Sequence, residues 1–183
     1  VLILILIWAL RLGSFLFLRI KKAGEDSRFT TIKKDFSVFF LTWNLQGLWV
    51  LFTLFGALTI LTSNKNSNFG IFDIVGVLIW VIGFAIEIVS DRQKSEFKNN
   101  KSNAGLFIRS GLWKYSRHPN YFGEILIWTG ISVIGIPIYS GLGWVGLISP
   151  FFVFIMLYYI SGVRLLEKQA NEISKWGKNI NVK

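Results

Sequence analysis

Five apolar blocks, near 1–20, 37–62, 71–90, 120–137 and 144–163, dominate the chain and limit what it can fold into. A helix needs about 20 residues to cross a hydrocarbon core of roughly 30 Å, and each block is about that long. Backbone polar groups in lipid are satisfied only within helices or closed barrels, and these blocks lack the apolar/polar alternation of barrel strands. They predict an all-α, polytopic transmembrane helical bundle with five spans, forming a single integral membrane domain over 1–183. Composition agrees: 52% of the chain is hydrophobic, 16% is charged, and the mean hydropathy is +0.52. Soluble domains carry about 25% charged residues.

The charge is one-sided. Of 20 Lys and Arg residues, six fall in 19–36 (Arg19, Lys21, Lys22, Arg28, Lys33, Lys34), seven in 91–119 and five in the tail from Arg164 to Lys183. The opposite connections hold Lys65 alone, and Arg11 lies inside the first span. Cytoplasmic loops collect Lys and Arg, so the pattern predicts an outside N-terminus and a cytoplasmic C-terminus. The net charge of +10 is therefore read as topology, and no nucleic-acid partner is expected. With no Cys and one His, disulfides, thiolate metal sites, Cys nucleophiles and His-paired metal motifs are excluded, and no metal is expected. The chain opens at Val1 within an apolar run, which reads as a fragment lacking upstream sequence.

Ionisable residues in a bilayer are costly and mark function. Here Asn44 and Gln46 sit in the inner third of the second span, Glu87 and Asp91 end the third, and Asn120 and Glu124 open the fourth. Glu87/Asp91 and Asn120/Glu124 are each spaced i, i+4, so each pair shares one helix face. With Arg164 and Lys168 at the end of the fifth span, they are expected to converge on one cavity open to the basic side. Arg11 is expected to pair with an acidic residue of the bundle, whose identity the sequence does not give.

The segment from Gly111 to Glu124 carries the densest chemistry. Pro119 suits a first helical turn, with Ser116 or His118 near the cap. The free N–H groups and positive dipole end of that helix, with Lys114 and Arg117 beside it, suit a phosphate. Trp113, Tyr115 and Tyr121 either stack on a flat ring or belong to an interfacial aromatic belt. A second glycine pattern, Gly141-Leu142-Gly143-Trp144-Val145-Gly146, matches GxGxxG but follows no strand, and reads as a tight turn with close helix packing.

The stretch Lys114-Tyr115-Ser116-Arg117-His118-Pro119-Asn120-Tyr121-Phe122-Gly123-Glu124 resembles the RHPNYxGE signature of membrane reductases that include steroid 5-alpha-reductases, sterol reductases and a bacterial group of relatives. The similarity continues through Ile86–Asp91 and Ser161–Lys168, so it is densest over 86–168. The bacterial group also matches at Trp8–Gly13, Gly24–Phe29 and around Asn44–Gly47. The resemblance implies a fold of about seven helices, two of them upstream of Val1. It also implies an NADPH cavity open to the cytosol and a lipid substrate entering from the bilayer, with a bacterial inner membrane favoured over the endoplasmic reticulum. It places Asn120 and Glu124 at the nicotinamide half of the cofactor, with Asp91, Lys98, Arg164 and Lys168 lining the site. Glu87 stands where the steroid enzymes carry Asn, and Trp8 is nearest to a Tyr that grips their substrate carbonyl. The tail stops before the Tyr-rich end usual in the bacterial group.

The leading expectation is hydride transfer from NADPH to a carbon–carbon double bond of a lipid, steroid-like or prenyl substrate. Lys98, Arg109 and Arg117 are expected to meet the phosphates, with His118 also lining the cofactor. Glu124, Tyr121 and Tyr115 are the candidate catalytic residues, one tyrosine being the proton donor. One alternative is an S-adenosylmethionine-dependent methyltransferase, because isoprenylcysteine carboxyl methyltransferases carry a related RHPxYxG segment. The other is a non-catalytic lipid-binding membrane protein. The topology has a direct check at the sequon Asn100-Lys101-Ser102. Expression in a eukaryotic host should leave Asn100 without glycan, and a glycosidase-sensitive mass shift that Asn100→Gln abolishes would reverse the orientation.

Overall fold

The computed structural model describes residues 1–24, 29–65, 67–103 and 106–161. Among them every regular element is helical. Helix α1 covers Leu2–Ala23, α2 is a single turn at Phe29–Ile32, α3 covers Phe36–Leu61 and α4 covers Ile71–Asn99. Helix α5 covers Pro119–Gly135, and α6 covers Ile148–Ile155 between a 3-10 stretch at Gly141–Leu147 and a π-helical turn at Met156–Ser161. Four segments are long and apolar enough to cross a membrane: Leu2–Lys22, Phe36–Leu61, Ile71–Asn99 and Gly141–Tyr159. The protein is an integral membrane protein of the all-helical class.

Two of the five expected spans differ from their predicted form. The third was expected to stop near residue 90, where hydropathy falls, yet α4 runs on to Asn99, 29 residues in all. At 1.5 Å per residue it is about 44 Å long and outruns the hydrocarbon by roughly two and a half turns. The residues beyond Ser90 are polar but compatible with a helix, and Arg92 Nε donates to Glu96 Oε1 one turn on at 2.8 Å. The fourth block, expected over 120–137, forms α5 with 17 residues, about 25 Å of helix and shorter than the four spanning segments. Pro137 follows its end.

Local chemistry sets the helix starts. Asp35 accepts from the backbone N–H groups of Ser37 and Val38 at 2.8 and 3.1 Å and so caps α3. Asp73 in the first turn of α4 accepts from the Gly70 N–H at 2.9 Å. His118 occupies the N-cap of α5 with Pro119 in the first turn, as the sequence suggested.

Helices α4 and α5 run antiparallel in the tightest contact of the bundle, and small residues make it possible. A methyl group on Gly83 would come within 2.6 Å of the Gly123 carbonyl, and one on Gly130 within 2.6 Å of the Gly76 carbonyl. Glycine spaced by seven on each helix thus lets the two backbones touch at both Gly83/Gly123 and Gly76/Gly130. Around this seam Ala57, Trp80, Ile127, Trp128, Ile131 and Val153 form the core. The remaining faces carry exposed aliphatic and aromatic side chains such as Leu10, Phe40 and Ile82, as lipid-facing surfaces do. The glycine pattern from Gly141 is a 3-10 connection in which Gly146 lies against the Tyr139 ring and the Gly56 backbone.

Substituting Gly83 or Gly130 by valine should cost about 1–3 kcal/mol or more, because backbone rather than a flexible side chain stands in the way. Gly47→Ala, which meets nothing within 4 Å inside α3, should leave stability unchanged or raise it by up to about 1 kcal/mol. Thermal unfolding in detergent measures both, and equal stability of the two sets would refute the packing.

Candidate functional site

The extension of α4 gathers the polar residues. Glu87, Asp91, Lys94 and Lys98 recur along one face of a continuous helix, where the sequence had suggested a span followed by a loop. Opposite them stand the first turns of α5, with Asn120, Tyr121 and Glu124. Gly123 packs on the Glu87 backbone, so the Glu87 side chain starts at the α4–α5 contact.

The third wall is α1. Arg11 Nη1 donates to Glu87 Oε1 at 2.6 Å, and Arg11 Nη2 donates to Asp91 Oδ2 at 2.6 Å. The acidic partner the sequence could not name is thus a pair, one turn apart on α4. The two carboxylates are enclosed, and Glu87 is only 4% exposed. One turn away on α1, Trp8 meets Trp128 edge to face with ring centroids 5.0 Å apart. Glu124 lies within electrostatic reach of Glu87, Asp91 and Arg11, and Tyr121 within reach of Glu124 and Asp91. Two carboxyl groups therefore share the Arg11 guanidinium, with Glu124 nearby.

Asn120 Oδ1 is buried in this cluster without a donor among the described residues, whereas Glu87 Oε2 and the Trp8 indole N–H are buried beside each other, just outside hydrogen-bond geometry. Such groups cost free energy unless a ligand or water completes them. A buried acceptor such as Asn120 Oδ1 suits a ligand that presents N–H groups, such as a carboxamide.

The connection before α5 is bound to α4 by contacts that the sequence did not reveal. Leu112 N–H donates to Gln93 Oε1 at 3.0 Å, and Trp113 Nε1 donates to the Ser90 carbonyl at 3.1 Å. Gly111 permits this with a left-handed φ of 59° and the Gln93 side chain directly against it. The Lys94 ammonium sits 5.2 Å from the centre of the Trp113 ring and has Lys98 and Arg19 as cationic neighbours. The spacing of Ser90, Gln93 and Lys94 on one helical face was the available signal, had α4 been carried past residue 90.

The expected residues thus divide. Asp91, Asn120, Tyr121 and Glu124 come together around Arg11 and Glu87. His118 stacks on Tyr121 with ring centroids 5.2 Å apart. Lys98, Arg109 and Arg117 are exposed at the rim. Tyr115 is 84% exposed and stands outside the enclosed cluster, which separates it from Tyr121. Asn44 and Gln46 do not join: both are exposed, and Asn44 Nδ2 donates to the Phe40 carbonyl of its own helix at 2.8 Å. Asn44 instead lines a shallow groove of about 480 Å³ on α3 with Phe40, Trp43, Gly47, Leu48 and Leu51. The reason is packing: α3 turns Thr53, Gly56 and Ala57 to the bundle and leaves this stretch outside. Arg164 and Lys168 lie outside the described residues.

No solved structure matches the chain. Among curated proteins, the steroid 5-alpha-reductase DET2 of Arabidopsis thaliana is 31% identical over 61 residues, which is 33% of this chain and 23% of DET2. The match thus spans about a quarter of that relative's length. The family model described as a protein of unknown function, DUF1295, matches residues 1–179. The chain therefore belongs to the DUF1295 family and resembles the steroid 5-alpha-reductases.

Proposed function

We propose that the protein is an NADPH-dependent membrane reductase that delivers hydride to a polarised carbon–carbon double bond of a lipid, steroid-like or prenyl substrate. The observation that carries this reading is Asn120 Oδ1, buried without a donor among the described residues in the reductase-like first turn of α5 and facing Glu87 on α4. It fits a carboxamide N–H of a nicotinamide. NADPH supplies the hydride when bound; the chain supplies binding, orientation and the proton. Asn120 and Glu87 hold the amide end. Lys98, Arg109 and Arg117 take the phosphates at the rim, and the reductase resemblance assigns Arg164 and Lys168 to the same task. Tyr121, stacked on His118 and facing Glu124, holds the proton at its phenolic oxygen, and Glu124 exchanges it. A site open to the cytosolic face of a bacterial inner membrane, with the first residue outside, completes the proposal.

A second reading has its own support. A cluster in which carboxylates outnumber the guanidinium also suits the sulfonium of S-adenosylmethionine, the methyl donor of the related methyltransferases. Competition between the two cofactors separates the readings. NADPH fluorescence in detergent should report binding that excess S-adenosylmethionine does not displace, and displacement by S-adenosylmethionine would reverse the order.

Asn120→Ala should weaken NADPH binding by roughly 1–3 kcal/mol, about 5- to 150-fold. Tyr121→Phe should leave NADPH affinity within about threefold and lower the rate of reduction by about 10²–10⁴-fold, whereas Tyr115→Phe should do neither. Unchanged turnover in Tyr121→Phe would remove Tyr121 as proton donor.

A further inference from the structure

Arg11 interrupts a span of mean hydropathy 2.1, where an unpaired guanidinium is costly. Its geometry goes beyond neutralising that cost. The two terminal nitrogens do not fork onto one carboxylate; one takes Glu87 Oε1 and the other Asp91 Oδ2. Each carboxylate is therefore fixed by Arg11 through one oxygen, and in Glu87 the other, Oε2, is buried beside the Trp8 indole N–H. Helix α1 makes few close backbone approaches to the rest of the bundle, so its attachment here depends on long side chains. Arg11 and Trp8 supply them on one face.

We infer that Arg11 is a positioning residue. It aims Glu87 and Asp91 at the ligand and sets the net charge of the cluster, without touching the ligand itself. This rests on the reductase reading above and adds an electrostatic consequence to it. Oxidation turns a neutral dihydronicotinamide into a cation, so the charge of the cluster decides how tightly the oxidised form is held relative to the reduced form. The carboxylates of Glu87 and Asp91 favour the oxidised form, and the Arg11 charge between them limits that preference.

The test measures the dissociation constants of NADPH and NADP⁺ for the purified protein and for Arg11→Met, Glu87→Gln and the double variant. Arg11→Met should shift the ratio of the two constants about tenfold toward NADP⁺, and Glu87→Gln should shift it the opposite way by a similar factor. The double variant should return close to the wild-type ratio. Arg11→Lys should fall short of wild type, because an ammonium does not reproduce two fixed N–H directions. If both constants weaken together in Arg11→Met with their ratio unchanged, Arg11 is structural only and the inference fails. If NADP⁺ binding is lost while NADPH binding stays, Arg11 meets the ligand directly, which also overturns it. Should wild-type protein bind neither nucleotide, the reductase reading falls, and thermal unfolding judges Arg11. The double variant melting above Arg11→Met then supports charge compensation at Glu87, and its melting at or below Arg11→Met contradicts it.

Discussion

A single guanidinium ties the candidate site together. Arg11 reaches from α1 to Glu87 and Asp91 on α4, and those carboxylates lie beside Glu124 on α5. Removing one partner from an enclosed ion pair typically costs about 3–5 kcal/mol, because the other charge is left buried. The bundle carries that liability at the end of its spans where α4 outlasts the apolar block. A lipid-facing helix would lose nothing by exchanging Arg11 for leucine unless the charge were needed. The triad therefore marks where the stability of the bundle depends on a buried charge.

The site also depends on how closely α4 and α5 approach. Backbone contact at Gly83/Gly123 brings the first turns of α5 against the face of α4 that carries Glu87 and Asp91. The turn at Gly111–Lys114 is held on that face by Gln93 and by the Ser90 carbonyl, which fixes the direction from which the chain enters α5. Tyr121 and Glu124 then face the acids, while Tyr115, before the helix begins, stays in the open. Position in the motif made the two tyrosines equivalent, and position in the fold distinguishes them.

Much of this was legible in the amino-acid order. Long apolar blocks dictate helices, the Pro119 signal marks the start of α5, and i, i+4 spacing puts Glu87 with Asp91 and Asn120 with Glu124. Other features were not. Hydropathy ends where lipid ends and says nothing of a helix that continues into water, so the last turns of α4 carry no apolar signal. The partners of Arg11 lie 76 and 80 residues away, and only the fold brings them near. Asn44 and Gln46 share the depth expected of the site but stand on the outer face of α3, because a polar residue in an apolar run reveals its depth and not its direction.

The account is tested most directly by following one hydrogen. Protein in membranes, supplied with its native lipid extract and NADPH deuterated at the transferable C4 position, should yield a lipid product carrying one deuterium on carbon and one proton from water. Deuterium retained entirely in the cofactor, with a methyl group passing from S-adenosylmethionine to an acceptor in the same extract, would contradict it.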